Sequence, residues 1–167
     1  MTTAAELPAL LEELRARLSA ADARLEALAE WVPERKMLRV IRRGPTLRRA
    51  GEAWPLGVLL LSTDGRLLGL GTATRARPAS RVGYVAESAR ERDELRMLAA
   101  KAGFEPGEAL HIDPVPLEVA ALAAGSPSGP VLPGPDGMLL VRWSPAGGVE
   151  PRDLAGYLAE RVELLGA

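Results

Sequence analysis

The side chain best suited to proton transfer is the only histidine, His111, two residues before Asp113. On a strand those two side chains share a face, and a carboxylate beside an imidazole fixes its tautomer and makes it a general base. Glu108 and Glu118 are close in sequence. The same pattern also describes an ordinary half-exposed histidine at a strand end, so His111 and Asp113 stand as candidates only. A metal would have to recruit its remaining ligands from carboxylates, and no metal site is expected. The chain has no cysteine, which excludes disulfides and thiolate nucleophiles. Gly69-Leu70-Gly71 begins a dinucleotide-like pattern, but the third glycine position holds Thr74, so crowding or a bulge explains the glycines better. No P-loop, nucleophile elbow or Ser-x-x-Lys is present, and no cofactor is expected.

Cations offer a different chemistry. Arg35, Lys36, Arg39, Arg42, Arg43, Arg48 and Arg49 crowd a stretch free of acids, a pattern able to neutralise phosphates. No aromatic interleaves them for base stacking, and arginines also protect a strand edge. Nucleic-acid binding through 35–49 is therefore possible but not favoured. Arg142-Trp143-Ser144-Pro145 pairs a cation with a rare aromatic, either as a recognition patch or as core edge with stacked arginine. Arg75 and Arg77 flank another strand end. Arg75, Arg77, Arg142 and Trp143 are expected to converge on one positive edge that favours an anionic ligand or acidic partner.

The elements that must position these residues start with a leucine seam. Leu7, Leu11, Leu14, Leu18, Ala21, Leu25, Leu28 and Val32 recur at steps of four and three, the spacing of a coiled-coil stripe. The spacing predicts a helix from Pro8 to about Trp31, stopped at Val32-Pro33. Residues 1–32 then form an amphipathic appendage and 33–167 one domain. Leu11, Leu14, Leu18, Leu25 and Leu28 would make an interface for a second copy or a protein partner, or pack on their own domain. Beyond it, 36–43 reads as a strand. Residues 55–62 and 66–74 read as a hairpin turning at Thr63-Asp64-Gly65. Ser88 opens a helix over 88–102 through a capping box with Glu91. Residues 109–113 form a short strand, 131–132 and 138–143 a second hairpin, and 151–165 a last helix. The expectation is an α+β fold: a mainly antiparallel sheet of about five to six strands, both hairpins adjacent in it, with two helices on one face.

With 47% apolar residues and few aromatics, the chain can bury an aliphatic core. No apolar run reaches membrane-spanning length and no signal peptide is apparent, which suggests the cytoplasm and no membrane partner. Net charge is −1 overall. The basic residues are nearly all arginine, as coding bias in a GC-rich genome would produce.

Trp54-Pro55-Leu56-Gly57-Val58-Leu59-Leu60-Leu61 with Asp64-Gly65, Thr74-Arg75-Ala76, Val141-Arg142-Trp143-Ser144-Pro145, and the run from Tyr157 to Leu165 resemble a family of short actinobacterial proteins often labelled glutaminases. The resemblance implies amide hydrolysis. The familiar routes to it use a Cys–His pair or a Ser-x-x-Lys serine, and this chain holds neither.

Three functions follow as expectations. The first is a non-catalytic cytoplasmic interaction or scaffold protein that self-associates or docks a partner through the N-terminal helix. The second is an amidohydrolase working through His111, Asp113 or a carboxylate pair that folding brings together. The third is nucleic-acid binding through 35–49.

Overall fold

The computed structural model describes residues 1–33, 36–37, 41–42, 45–77, 87–144 and 149–167. In chain order its elements are α1 (Leu7–Ala20), β1 (Glu26–Val32), β2 (Lys36–Met37), β3 (Ile41–Arg42), β4 (Thr46–Leu56), β5 (Leu59–Ser62), β6 (Leu67–Gly69) and β7 (Thr72–Arg75). There follow α2 (Glu87–Lys101), β8 (Ala109–Ile112), β9 (Val115–Pro116), α3 (Val119–Ala123), β10 (Val131–Pro133), β11 (Leu139–Val141), β12 (Arg152–Asp153) and α4 (Leu154–Leu164). The fold is α+β. One sheet has seven strands in the order β7-β8-β1-β4-β5-β6-β9, another has β10-β11-β12, and β2 pairs with β3. The large sheet is mixed, because β1 and β8 run parallel.

These residues form two units, each assembled from separated stretches of chain. The first holds Met1–Leu25, Glu52–Leu70 and Val115–Ala167; the second holds Glu26–Gly51 and Gly71–Pro114.

In the first unit, Pro8 sits in the first turn of α1, where its missing N–H costs nothing. Leu7, Leu11, Leu14 and Leu18 are buried in a core with Trp54, Leu59 and Leu61 of β5, Leu67 of β6, and Leu154, Leu158 and Val162 of α4. Each such leucine contributes about 1.5–3 kcal/mol of burial. The seam is therefore filled inside its own unit. The helix is also shorter than its spacing suggests. It ends at Ala20, and Asp22 adopts a left-handed turn at φ 49° before β1 begins. Leu25 is 37% exposed, and Leu28 is buried on a strand rather than on the helix. Period alone misleads here, because pairing with β8 converts the last part of the seam to β structure. The segment 1–32 is thus split, α1 falling in the first unit and β1 in the second.

The expected strand over 55–62 is broken by a tight turn. β4 ends at Leu56, and Gly57-Val58 reverse the chain into β5, with Leu56 opposite Leu59. The strand expected over 66–74 is divided too, β6 falling in the first unit and β7 in the second. The turn at Thr63-Asp64-Gly65 does join β5 and β6. The hairpin β10–β11 forms but joins β12 in its own sheet, so the two hairpins are not neighbours. The two long helices pack in separate cores, α4 in the first and α2 in the second. Residues 36–37 and 41–42 make the antiparallel pair β2–β3 in place of a single strand. The Ser88 side chain lies outside the described residues. Among those residues no helix is long and apolar enough to cross a membrane.

The β5–β6 turn carries a testable charge. Asp64 accepts hydrogen bonds from Arg66 and from the Ser62 hydroxyl, and these, led by Arg66, hold its carboxyl below the usual aspartate range. A carboxyl whose folded pKa is depressed stabilises the fold above its ordinary value and loses that contribution as pH falls through the depressed one. Asp64→Asn should therefore lower the urea midpoint at about pH 7, and the difference from wild type should shrink and vanish as pH falls through the depressed value. A difference that persists in acid would assign the effect to the turn's shape instead.

Candidate functional site

The second unit places the chemistry-bearing residues. β8 lies between β1 and β7, with Leu28 opposite His111 on one side and Ala73 opposite His111 on the other. Strand alternation sends Ala27, Ala29, Leu110 and Ile112 to one face, where Leu95, Leu98 and Ala99 of α2 complete a small core with Phe104 and Leu47. Glu26, Leu28, His111, Ala73 and Arg75 take the other face.

His111 is 6% exposed, and its Nε2 lies 2.7 Å from Glu26 Oε2. With Nε2–H donating to the carboxylate, Nδ1 presents a lone pair; it is buried and has no hydrogen-bond partner among the described residues. The expected His111–Asp113 pair is not made. β8 ends at Ile112, and Asp113 turns left-handed at φ 49°, so strand alternation no longer applies to it. Its Oδ1 instead accepts the Trp31 backbone N–H at 3.1 Å, and its own N–H donates to Ala29.

Along β7 runs a cleft of about 360 Å³. It is lined by four consecutive residues of that strand, Thr72 to Arg75, by Arg92, Leu95 and Arg96 of α2, by Ala109, Leu110 and His111 of β8, and by Glu26 of β1. A second hollow of about 330 Å³ shares Arg75 and Arg96 and adds Arg77, Pro106 and Gly107. Arg92, Leu95 and Arg96 are spaced i, i+3 and i+4, which puts them on one helix face. The Arg77 N–H donates to the Arg96 carbonyl and ties the end of β7 to the helix. Arg75 donates to the Gly107 carbonyl at 3.3 Å, and Arg96 donates to Asp93 at 2.9 Å. Guanidinium forks of this kind match carboxylate or phosphate oxygens.

Of the residues expected at a binding edge, Arg75 and Arg77 thus meet at one cleft system. Arg142 and Trp143 belong to the first unit, where Arg142 is exposed and Trp143 packs against the first core with its Nε1 buried and unpartnered among the described residues. Sequence reasoning missed Arg92, Arg96 and Glu26. The i, i+4 arginines flanking Leu95 carried a usable signal. Glu26 carried none, since its contact with His111 spans 85 residues.

In the basic stretch, Arg48 pairs with Glu30, while Arg49 pairs with Glu108 and lies over the Phe104 ring. These neighbours on β4 point to opposite faces. The side chains of Lys36 and Arg42, and residues Arg35, Arg39 and Arg43, lie outside the described residues. No cluster of three or more His, Asp or Glu side chains suited to a metal occurs among the described residues. No family model, curated protein or solved structure matches the chain.

Proposed function

We propose that the protein is a non-catalytic interaction protein of the cytoplasm, whose second unit recognises an anionic group in the cleft beside β7. The observation that carries this reading is the meeting of Arg75, Arg92 and Arg96 around one opening. The acid within the cleft, Glu26, already holds His111. The stripe of Leu11, Leu14 and Leu18 packs inside its own unit, so recognition is assigned away from α1. Titration of the full chain with inorganic phosphate and with succinate, followed by calorimetry, tests the reading. Binding is expected to weaken with salt and to fall about tenfold or more in each of Arg75→Gln and Arg96→Gln, since a hydrogen bond to a charged group contributes about 1.5–3 kcal/mol. Absence of binding in the wild type, or unchanged affinity in both variants, would overturn it.

A hydrolytic reading has one observation in its favour, the buried His111–Glu26 pair with Nδ1 unpartnered. Ammonia release from glutamine that disappears in His111→Ala would replace the binding reading with amide hydrolysis. The nucleic-acid reading is weaker, because Arg48 and Arg49 are both engaged in ion pairs on opposite faces of β4.

A further inference from the structure

We infer that the anionic ligand is an extended acidic peptide segment, which adds to the sheet as a strand beside β7 with its carboxylate side chains on the cleft arginines. This rests on the anion-binding reading and goes further in naming the partner. Side chains of a strand alternate between faces, so a pocket on one face meets only every second residue. The cleft touches Thr72, Ala73, Thr74 and Arg75 in succession. It touches Ala109, Leu110 and His111 of β8 in succession as well, so it takes in residues of both faces around the last strand.

The backbone pattern agrees. The Ala76 N–H donates to the Glu108 carbonyl, and the Ala76 carbonyl accepts from Gly107. In an antiparallel ladder, residues that exchange bonds with the neighbour alternate with residues whose N–H and C=O face away. Counting back from Ala76, Thr74 and Thr72 bond β8, and Ala73 and Arg75 present their N–H and C=O outward. β7 is the last strand of the sheet among the described residues. It holds neither proline nor lysine, the residues that commonly blunt an edge, and Ala73 at its centre is small and exposed.

Charge selects the occupant. A strand laid against Ala73 and Arg75 turns alternate side chains toward α2, where Arg92 and Arg96 stand, and the others toward the Arg75 side chain. Acidic residues on either face of the incoming strand therefore meet a guanidinium. Main-chain bonds at a sheet edge supply affinity and side-chain pockets supply selectivity, as in other strand-addition modes. A compact anion would use a single fork and leave the outward carbonyls of Ala73 and Arg75 without a role.

The test uses the full chain and a fluorescein-labelled, end-capped peptide of alternating glutamate and valine, read by anisotropy, with inorganic phosphate titrated separately by calorimetry. The wild type should bind the peptide more tightly than phosphate. N-methylation of alternate peptide amides, which removes backbone donors but keeps every carboxylate, should weaken binding at least about tenfold. Ala73→Pro should do the same while phosphate binding stays at the wild-type level, because the outward N–H of Ala73 is not part of the β7–β8 ladder and proline is tolerated there. If that variant does not fold by circular dichroism, the N-methylated peptide alone decides. Equal affinity for the N-methylated peptide, or phosphate binding without peptide binding, overturns strand addition and leaves the anion-binding reading in place. Failure of both ligands overturns both. Dimers in light scattering that Ala73→Pro dissolves would assign the edge to a second copy and overturn the peptide.

Discussion

Alanine at Gly71 should lower the stability of the second unit by about 3 kcal/mol or more, a fall in melting temperature of about 6–12 °C. A Cβ built there would lie 1.9 Å from the Ile112 carbonyl oxygen and 2.8 Å from both the carbonyl carbon and oxygen of Asp113. All three are backbone atoms, so no rotamer change relieves the collision. The β7–β8 pairing must open instead, and with it the edge on which the cleft is built. Gly69, two residues earlier in the same Gly-Leu-Gly motif, supplies the control. Its added Cβ would meet nothing closer than 3.6 Å, an ordinary contact, so Gly69→Ala should stay within about 0.5 kcal/mol of wild type. Thermal melts of the two variants with amide exchange on β8 would measure the contrast. Equal melting temperatures would show that the close approach at Gly71 does not govern the pairing.

Alanine at Gly57 should be as damaging to the first unit, by about 3–5 kcal/mol. Gly57 has φ +75°, a conformation that side chains resist, and its added Cβ would fall 2.1 Å from the Tyr157 hydroxyl. That hydroxyl is buried and fully used: it donates to the Leu56 carbonyl and accepts the Val58 N–H, each at 2.9 Å. One phenol thus satisfies both backbone groups flanking the glycine. Tyr157→Phe alone strands those groups and should cost about 1–3 kcal/mol. In the double variant the hydroxyl that collides is gone, so the loss there should be smaller than the sum of the two single losses. Urea denaturation of the four proteins gives the coupling directly. Strict additivity would mean that the turn's backbone strain, not the hydroxyl, sets the loss at Gly57.

Local signals were legible where one element decides its own conformation. The stripe from Leu7 to Leu18 announced a helix with a buried face, and Thr63-Asp64-Gly65 announced a turn. The reading failed where distant pairing decides. Leu25, Leu28 and Val32 keep the helical spacing, yet β1 forms because Ala27, Leu28 and Ala29 pair with Leu110, His111 and Ile112. Glu26 reaches His111 for the same reason. Gly57 reads as an ordinary residue within an apolar run, and only the approach of Tyr157 from α4 shows why it turns the chain. At the candidate site, Arg75 and Arg77 were readable because they border a strand end. Arg92 and Arg96 meet the cleft only because the fold brings β7 beside α2.

The packing of α1 against α4 also bears on the order in which the molecule is made. Synthesis delivers α1 before α4, and the stretch between them contains the whole of the second unit. The leucine stripe of the nascent chain therefore has to wait for α4, and the first core closes only by joining segments far apart in the sequence. Long-range closure of this kind costs chain entropy before any contact rewards it, which slows folding. Until then an apolar helical face stands open on the ribosome-bound chain, a surface that a holdase chaperone would cover.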